Sequence, residues 1–301
     1  MKFIVTGGCG FIGSHIARFL VGKNHDVEII DNLERGSLKN ILDIKNKIKI
    51  HDIDISNLKN LESVIDSPNG IFHQAALASV PTSFKEPEKY YKVNVIGTEN
   101  IFKIGRKHNA KIIFASSSSI YGDQTKLPIK EDAEKHPKNP YGQTKLDSEI
   151  IASKYAKEEL HVVGLRYFNV FGIGQNPQYA GVIPKFIERL SQKQSPIIEG
   201  DGTQIRNFTY IEDVVKANWM AFESKVKHAF LNIASDKTTS INELADTMIK
   251  MSGLDLKPVH GDPRKGDIIK SQADNSLAKE LIGWSPKISL EEGMEKIFPK
   301  I

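Results

Sequence analysis

The sequence predicts an α/β protein, a doubly wound parallel sheet with a smaller C-terminal lobe, on three observations. Short apolar runs alternate with helix-length segments from the first residue onward. The first run leads straight into a glycine cluster that opens a helix. After about Phe168 the alternation gives way to a stretch rich in glycine and proline. Strands alternating with helices of this length pair in parallel and are covered on both faces.

Taken in order, Lys2 to Val5 reads as a buried strand, followed by glycines and a helix near Ser14 to Lys23. Val27 to Ile30 is a second strand ending at Asp31, and Ile48 to His51 a third ending at Asp52. Gly70 to His73, Lys111 to Ala115 and Val162 to Leu165 continue the series, with helices over Tyr90 to His108 and Tyr141 to Glu158. Beyond Phe168, Gly172, Gly174, Pro177, Gly181 and Pro184 predict loops and short elements. Ala229 to Ile233 is one more apolar strand, and Ser240 with Glu243 forms a capping-box pattern for a helix running to about Met251. The expected organisation is a first domain over 1–168, with a returning segment near 205–235, and a substrate lobe made mainly of 169–301.

Composition narrows the function. The balance of 41 basic and 37 acidic residues supplies no concentrated basic face for nucleic acid. No apolar stretch approaches the roughly 20 residues of a membrane span. The opening MKFIVTGG lacks the form of a secretory signal. Cys9 is the only cysteine, which excludes an internal disulfide and a cysteine-rich zinc site. The expectation is a cytoplasmic protein without a metal. Because 34 of the basic residues are lysines and only 7 are arginines, each arginine is a separate candidate.

Gly8, Gly10 and Gly13 satisfy G-x-G-x-x-G, and Gly7, Gly10 and Gly13 the related G-x-x-G-x-x-G, directly after a strand and at a helix start. Glycines let the backbone approach a pyrophosphate, and the helix N-terminus offers free N–H groups and a positive dipole end. Asp31 follows 18 residues beyond Gly13, where a carboxylate accepts from a ribose hydroxyl and repels a 2′-phosphate. The cofactor expected is therefore NAD rather than NADP, a preference that Arg35 nearby weakens. Cys9, inside this loop, reads as a small apolar filler.

Tyr141 and Lys145 stand four residues apart just after Pro140, so both belong on one helical face. An ammonium beside a phenol is expected to lower the phenol pKa toward a range useful for proton transfer. The run ASSSSIYG, Ala115 to Gly122, ends a strand, where an open parallel sheet binds its ligands.

With these segments the chain resembles the extended short-chain dehydrogenase/reductases, the NAD-dependent epimerase/dehydratase family, and within it the UDP-hexose 4-epimerases. The matching segments are TGGCGFIG (Thr6 to Gly13), DNL (Asp31 to Leu33), HQAALASVP (His73 to Pro81), NVIGT (Asn94 to Thr98), ASSSSIYGD (Ala115 to Asp123), PYGQTK (Pro140 to Lys145), LRYFNVFG (Leu165 to Gly172), GDGTQIRNFTYIEDV (Gly200 to Val214) and LIGWSPKISLEEG (Leu281 to Gly293). They run in order over essentially the whole chain.

The resemblance implies a Rossmann-type domain in which Gly7, Gly10, Phe11, Ile12, Gly13, Asp31 and Asn32 hold NAD, with Asp52 and Ile53 at the adenine. Ala75, Asn94, Tyr141, Lys145 and Tyr167 would surround the nicotinamide half. It implies Ser117 as the catalytic hydroxyl, Tyr141 as the catalytic base and Lys145 as its partner. Asn169, Gly181, Val182, Arg206 and Arg264 would line a UDP-sugar site, with Asp267 near the nucleotide ribose. Guanidinium forks match diphosphate oxygens, which suits Arg206 and Arg264. Ala78 departs from the family pattern, standing where some members place a cofactor-contacting lysine.

Two rival activities share the first oxidation. Sugar-nucleotide 4,6-dehydratases carry Asp and Glu after the catalytic Ser/Thr, and UDP-glucuronate decarboxylases a Glu at the second position. Here Ser118 and Ser119 stand there, and neither can serve as a carboxyl acid or base. The expected reaction is 4-epimerisation of UDP-glucose/UDP-galactose through a transient 4-keto sugar. Ser271, aligned with the family's hexose gate, together with Ser79 and Ser119, extends it to the UDP-N-acetylhexosamines. An NAD(H)-sensing binding protein is the non-enzymatic alternative, which has no need of Ser117, Tyr141 and Lys145. The resemblance also implies a homodimer through a four-helix bundle built from Tyr90 to His108 and Tyr141 to Glu158.

Overall fold

A computed structural model describes residues 1–175, 181–263 and 268–298. Its strands are β1 (Lys2–Thr6), β2 (Asp26–Ile30), β3 (Lys49–His51), β4 (Gly70–His73), β5 (Lys111–Ser117), β6 (Val162–Tyr167), β7 (Asn169–Phe171), β8 (Ile197–Glu199), β9 (Ile205–Tyr210), β10 (His228–Ile233), β11 (Thr238–Ser240) and β12 (Val259–Gly261). The α-helices are α1 (Phe11–Gly22), α2 (Leu58–Val64), α3 (Val80–Lys85), α4 (Pro87–Tyr91), α5 (Gly97–His108), α6 (Pro140–Lys157), α7 (Val182–Ser191), α8 (Ile211–Glu223), α9 (Ile241–Ser252), α10 (Ser276–Ile282) and α11 (Leu290–Ile297).

Seven strands form one sheet in the order β3-β2-β1-β4-β5-β6-β10, every neighbouring pair parallel. Alternate residues of a strand face opposite sides, and β1 shows the result. Phe3 and Val5 enter one core with Ile16, Ala17 and Leu20 of α1 and Val214 and Ala217 of α8. Ile4 enters the other, with Ile101, Phe102 and Ile104 of α5 and Ala152 and Tyr155 of α6. Central strands buried on both faces have no polar side to show, which is why β4 and β6 are buried throughout.

The doubly wound parallel sheet is the architecture expected. One helix differs. The segment expected to be helical from Tyr90 to His108 contains a five-residue π turn, Lys92–Ile96, between α4 and α5. It is held by Asn94, which is fully buried: its side chain accepts from Leu77 N at 2.8 Å and donates to Leu77 O at 2.9 Å and Thr144 Oγ1 at 3.0 Å. The capping box of α9 forms with both halves, Ser240 accepting from Glu243 N and the Glu243 carboxylate from Ser240 N.

Within 205–235, α8 packs on the main sheet and β10 is its edge strand, whereas β9 lies in a three-stranded sheet, β11-β9-β7. The C-terminal segment is moored to α8 by Asp213, whose buried carboxylate accepts from Lys287 N and Ile288 N, both at 2.9 Å.

Candidate active site

A cleft of about 350 Å³ opens at the C-terminal ends of β1, β2 and β4, bordered by Gly7, Gly10, Phe11, Ile12 and Gly13. Gly7 has φ +65°, and a Cβ on it would lie 2.7 Å from Ala75 N. A Cβ on Gly13 would lie 2.1 Å from Gly7 O, so α1 starts where only glycine fits. Gly10 is the N-cap of α1 without a side-chain cap, and no acidic residue stands in the first turn. The free amides at that end suit an anionic diphosphate.

Asp31 borders the same cleft, with one oxygen accepting from Cys9 N and the other from Leu33 N, each at 2.9 Å. Two backbone bonds fix the carboxylate and leave further lone pairs for a ribose. Burial nonetheless pushes its pKa up, with Asp52 adding to the rise. Asn32, Ile53, Ala75 and Ala78 line the cleft, and so do Asp54, Ile55, Gln74 and Leu77, which the sequence reading did not include. Asp52 does not border it. A bare glycine cradle, an uncapped helix end and a fixed carboxylate on the next strand together fit a dinucleotide. The Cys9 thiol is fully buried and pushed up to about 12 by burial, which keeps it a protonated filler.

Ser117 closes β5, two residues further than the strand end expected from the sequence. Its hydroxyl donates to Ser119 Oγ at 3.1 Å and accepts from Ser119 N at 3.2 Å, starting a 3-10 turn, Ser118–Ile120. Asn139 caps α6 by accepting from Gly142 N at 2.8 Å, and Pro140 opens the helix. Gly142 lets that first turn sit on the serine turn, because a Cβ there would meet Ser119 O at 2.7 Å. Tyr141 is thereby brought near Ser117, whose hydroxyl acts to lower its pKa.

Lys145 follows one turn later, its ammonium 6.0 Å from the Tyr141 ring centroid. It donates to Ala115 O at 2.8 Å. The expected lowering of the phenol pKa by the lysine is corrected by the structure. Burial raises the Tyr141 pKa and only the Ser117 hydroxyl draws it down, while Lys145 is engaged by a carbonyl. Burial brings Lys145 itself to about 8, against an opposing effect from Glu149.

Beneath these residues lies polar structure that the sequence did not disclose. Arg166 and Glu149 form a buried ion pair, and Ser116 Oγ donates to the same carboxylate at 2.6 Å. His73 sits between Thr6 Oγ1 at 2.6 Å and Thr98 Oγ1 at 2.9 Å. Thr98 donates its proton to Asn94 O, so its oxygen receives one from His73 Nε2. His73 is then the neutral Nε2–H tautomer, and burial holds its pKa down to about 3. Tyr167, expected at the nicotinamide, is 7% exposed; its hydroxyl accepts from Asn218 Nδ2 at 2.8 Å and lies 3.3 Å from Gln74 Oε1.

A second cleft adjoins the first, the two sharing Val170, Gln175 and Gly181. Asn169, Gly181, Val182 and Arg206 all border it. Arg264 and Asp267 lie outside the described residues. Ser118 stands in the 3-10 turn beside Ser119. Ser79 caps α3, accepting from Thr82 N and sharing a hydrogen bond with Thr82 Oγ1 at 2.8 Å. Ser271 is buried, borders neither cleft, and donates its amide to Ile205 O at 3.2 Å, next to Arg206. Among the described residues no three His, Cys, Asp or Glu side chains are grouped to hold a metal ion, and no helix is long and apolar enough to cross a membrane.

The sequence profile described as GDP-mannose 4,6 dehydratase matches residues 4–297. The chain is 40% identical to a putative UDP-glucose 4-epimerase of Methanocaldococcus jannaschii, covering 98% of this chain and 96% of that one. It is 33% identical, over the same shares, to a UDP-N-acetyl-alpha-D-glucosaminuronate decarboxylase of Bacillus cytotoxicus. Among solved structures, the UDP-glucose 4-epimerase of Thermotoga maritima with UDP-glucose superposes at TM-score 0.95 and 36% identity, covering 100% and 98% of the two chains. The UDP-N-acetylglucosamine 4-epimerase of Methanobrevibacter ruminantium, in complex with UDP-N-acetylmuramic acid, gives 0.93 and 36%, covering 100% and 99%. A Thermus thermophilus UDP-glucose 4-epimerase in complex with NAD gives 0.92 and 29%, covering 100% and 98%.

Proposed function

The chain belongs to the GDP-mannose 4,6-dehydratase family of NAD-dependent epimerases and dehydratases, and from that membership we propose that it is a UDP-sugar 4-epimerase. The observation that carries this reading within the family is the turn after Ser117. Its next two side chains are Ser118 and Ser119, where dehydration or decarboxylation of the sugar requires a carboxyl group. NAD, when bound, supplies the acceptor and donor of hydride.

Tyr141, once it has given up its own proton to solvent as the positive charge of bound NAD would favour, takes the proton of the sugar 4-hydroxyl, with Ser117 beside it. Lys145, held by Ala115 O, keeps a positive charge near the phenol and orients the cofactor ribose. Gly7, Gly10 and the start of α1 bind the diphosphate of NAD, and Asp31 its adenosine ribose. Arg206 anchors the sugar's own diphosphate, while Asn169, Gly181 and Val182 shape the second cleft. Firm anchoring of UDP with a loosely held hexose lets the 4-keto sugar turn and regain its hydrogen on the other face.

The substrates are UDP-glucose and UDP-galactose, together with UDP-N-acetylglucosamine and UDP-N-acetylgalactosamine. Ser271 is the proposed gate for the acetamido group. A homodimer is the proposed assembly, supported by the exposure of Tyr91, Ile96 and Ile150 along α4 to α6. Side-by-side assays of the four sugars, with the product hexoses identified by chromatography, test the reading. Release of carbon dioxide from UDP-glucuronate, or a 4-keto-6-deoxy product, would replace it with a rival of the same family. Sedimentation at micromolar concentration tests the dimer.

A further inference from the structure

Three side chains from separate elements close a ring of hydrogen bonds beside the cofactor cleft. Asn218 lies in α8, Tyr167 ends β6 and Gln74 follows β4. Asn218 Nδ2 donates to Tyr167 OH at 2.8 Å, and Gln74 Nε2 donates to Asn218 Oδ1 at 3.2 Å. The Tyr167 hydroxyl has one proton and two acceptors in reach, Asn218 Oδ1 at 3.1 Å and Gln74 Oε1 at 3.3 Å. Asn218 Oδ1 already receives the Gln74 hydrogen, whereas Gln74 Oε1 has no other donor among the described residues. The proton therefore completes the ring at Gln74. Burial pushes the Tyr167 pKa up, which keeps that proton on the hydroxyl.

The ring is set from the backbone of α8. Asn218 is fully buried, and its Nδ2 also donates to Val214 O at 2.8 Å. Turning its amide over would set Oδ1 against that carbonyl, so the oxygen is the end that faces Gln74. Turning Gln74 over would in turn set two oxygens against each other. Gln74 is thereby held with its nitrogen toward Asn218, and the second hydrogen of that nitrogen has no acceptor among the described residues. Of the three, Gln74 alone borders the cofactor cleft.

The order of the sheet says which part of NAD lies there. Asp31, which suits the adenosine ribose, follows β2 on one side of β1, and Gln74 follows β4 on the other, toward β5 and Ser117. The half of the dinucleotide on that side is the nicotinamide nucleoside, whose ribose and carboxamide oxygens accept hydrogen bonds. We propose that Asn218 is a positioning residue for the cofactor, fixing the Gln74 amide so that a donor, rather than an oxygen, meets the nicotinamide half of NAD. Asn218 itself borders neither cleft and acts only through the ring. The inference rests on NAD binding and is independent of which sugar is turned over.

The test is a competition on the holoenzyme at fixed total NAD. ADP lacks the nicotinamide nucleoside, so the ADP concentration that displaces half of the bound NAD reports how well that nucleoside is held. A merely structural loss weakens NAD and ADP alike and leaves this concentration unchanged. In Gln74→Leu it is expected to fall about tenfold, the scale of one lost hydrogen bond, and in Asn218→Leu about threefold or more. The double variant should fall no further than Gln74→Leu alone, because no amide is left to position. Asn218→Asp keeps an oxygen for Gln74 and should stay within about twofold of wild type, even where its thermal melt is lower. An unchanged value in Gln74→Leu or Asn218→Leu overturns the proposal. So do losses that multiply in the double variant, or an Asn218→Asp value as low as that of Asn218→Leu. If Asn218→Leu does not fold, Gln74→Leu and Asn218→Asp decide by the same criteria. A wild-type protein that binds no NAD would instead defeat the dinucleotide assignment, and this proposal with it.

Discussion

Arg166 grips Glu149 with two guanidinium nitrogens, Nε at 2.9 Å and Nη2 at 2.8 Å, and both side chains are nearly out of solvent. The pair lies beside the segment that carries Ser117, with Glu149 on the helix that carries Tyr141 and Lys145. Glu149 is one helical turn beyond Lys145, and it also receives the hydroxyl of Ser116, the neighbour of Ser117. Arg166 spends its remaining nitrogen on Tyr121 OH at 2.7 Å and Glu131 O at 2.8 Å. The floor of the site is thus one connected polar unit.

Breaking that unit from one side is predicted to be far worse than removing it. Glu149→Ala leaves a buried guanidinium without its anion and should destabilise the protein by about 3–5 kcal/mol, read from urea denaturation. A loss below about 1 kcal/mol would mean the pair is relaxed in solution rather than fixed.

Tyr141→Phe should keep the fold and bound NAD yet lower turnover at least about a hundredfold, the scale of a lost general base. Progress curves with UDP-galactose, alongside a thermal melt, check it. Near-normal turnover would transfer the proton to another group.

His73 gives the protein a predictable acid lability. Its folded pKa of about 3 lies below that of a free histidine, so between about pH 6.5 and 3 the unfolded chain binds the extra proton. Stability present above pH 6.5 should therefore be lost as pH falls, by up to about 1.4 kcal/mol per pH unit from this residue. Denaturation midpoints from pH 7 to 5 should fall more steeply in wild type than in His73→Gln. Parallel pH profiles would remove His73 from the account.

Ser271→Tyr should suppress turnover of the UDP-N-acetylhexosamines while sparing UDP-glucose and UDP-galactose. The phenol would have to enter a buried position beside Arg206, and bulk there should exclude the larger sugar. Equal losses for both sugar pairs would show that Ser271 is structural and the gate lies elsewhere.

What could be read from the chain was what depends on near neighbours. The sheet followed from apolar runs, and the glycine cradle from residues 7–13, each a local pattern. Tyr141 and Lys145 were legible because four residues on a helix fix their relation. The π turn was not, since it is held by contacts from Asn94 to Leu77 and Thr144, which are remote in sequence. The direction of the Tyr141 pKa was misread for a similar reason. The lysine's proximity shows in the sequence, but burial and the Ala115 carbonyl that engages the lysine do not. Arg166 and Glu149, 17 residues apart on a strand and a helix, announce themselves only when both are found buried.

The pairing of β6 with β10 has a consequence for any attempt to divide the protein. The chain leaves the large sheet after β6, builds β7, α7, β8, β9 and α8, and only then returns to lay β10 beside the strand it left. A fragment ending at Phe168 would carry the cofactor loop and Tyr141 but expose the whole hydrogen-bonding rim of β6. Such a rim is a template for intermolecular strand addition, so the fragment should aggregate rather than stand alone. The excursion is also stitched to adjacent strands at both ends. Relative movement of the two clefts is then a flexing of paired strands, not the swing of a tether.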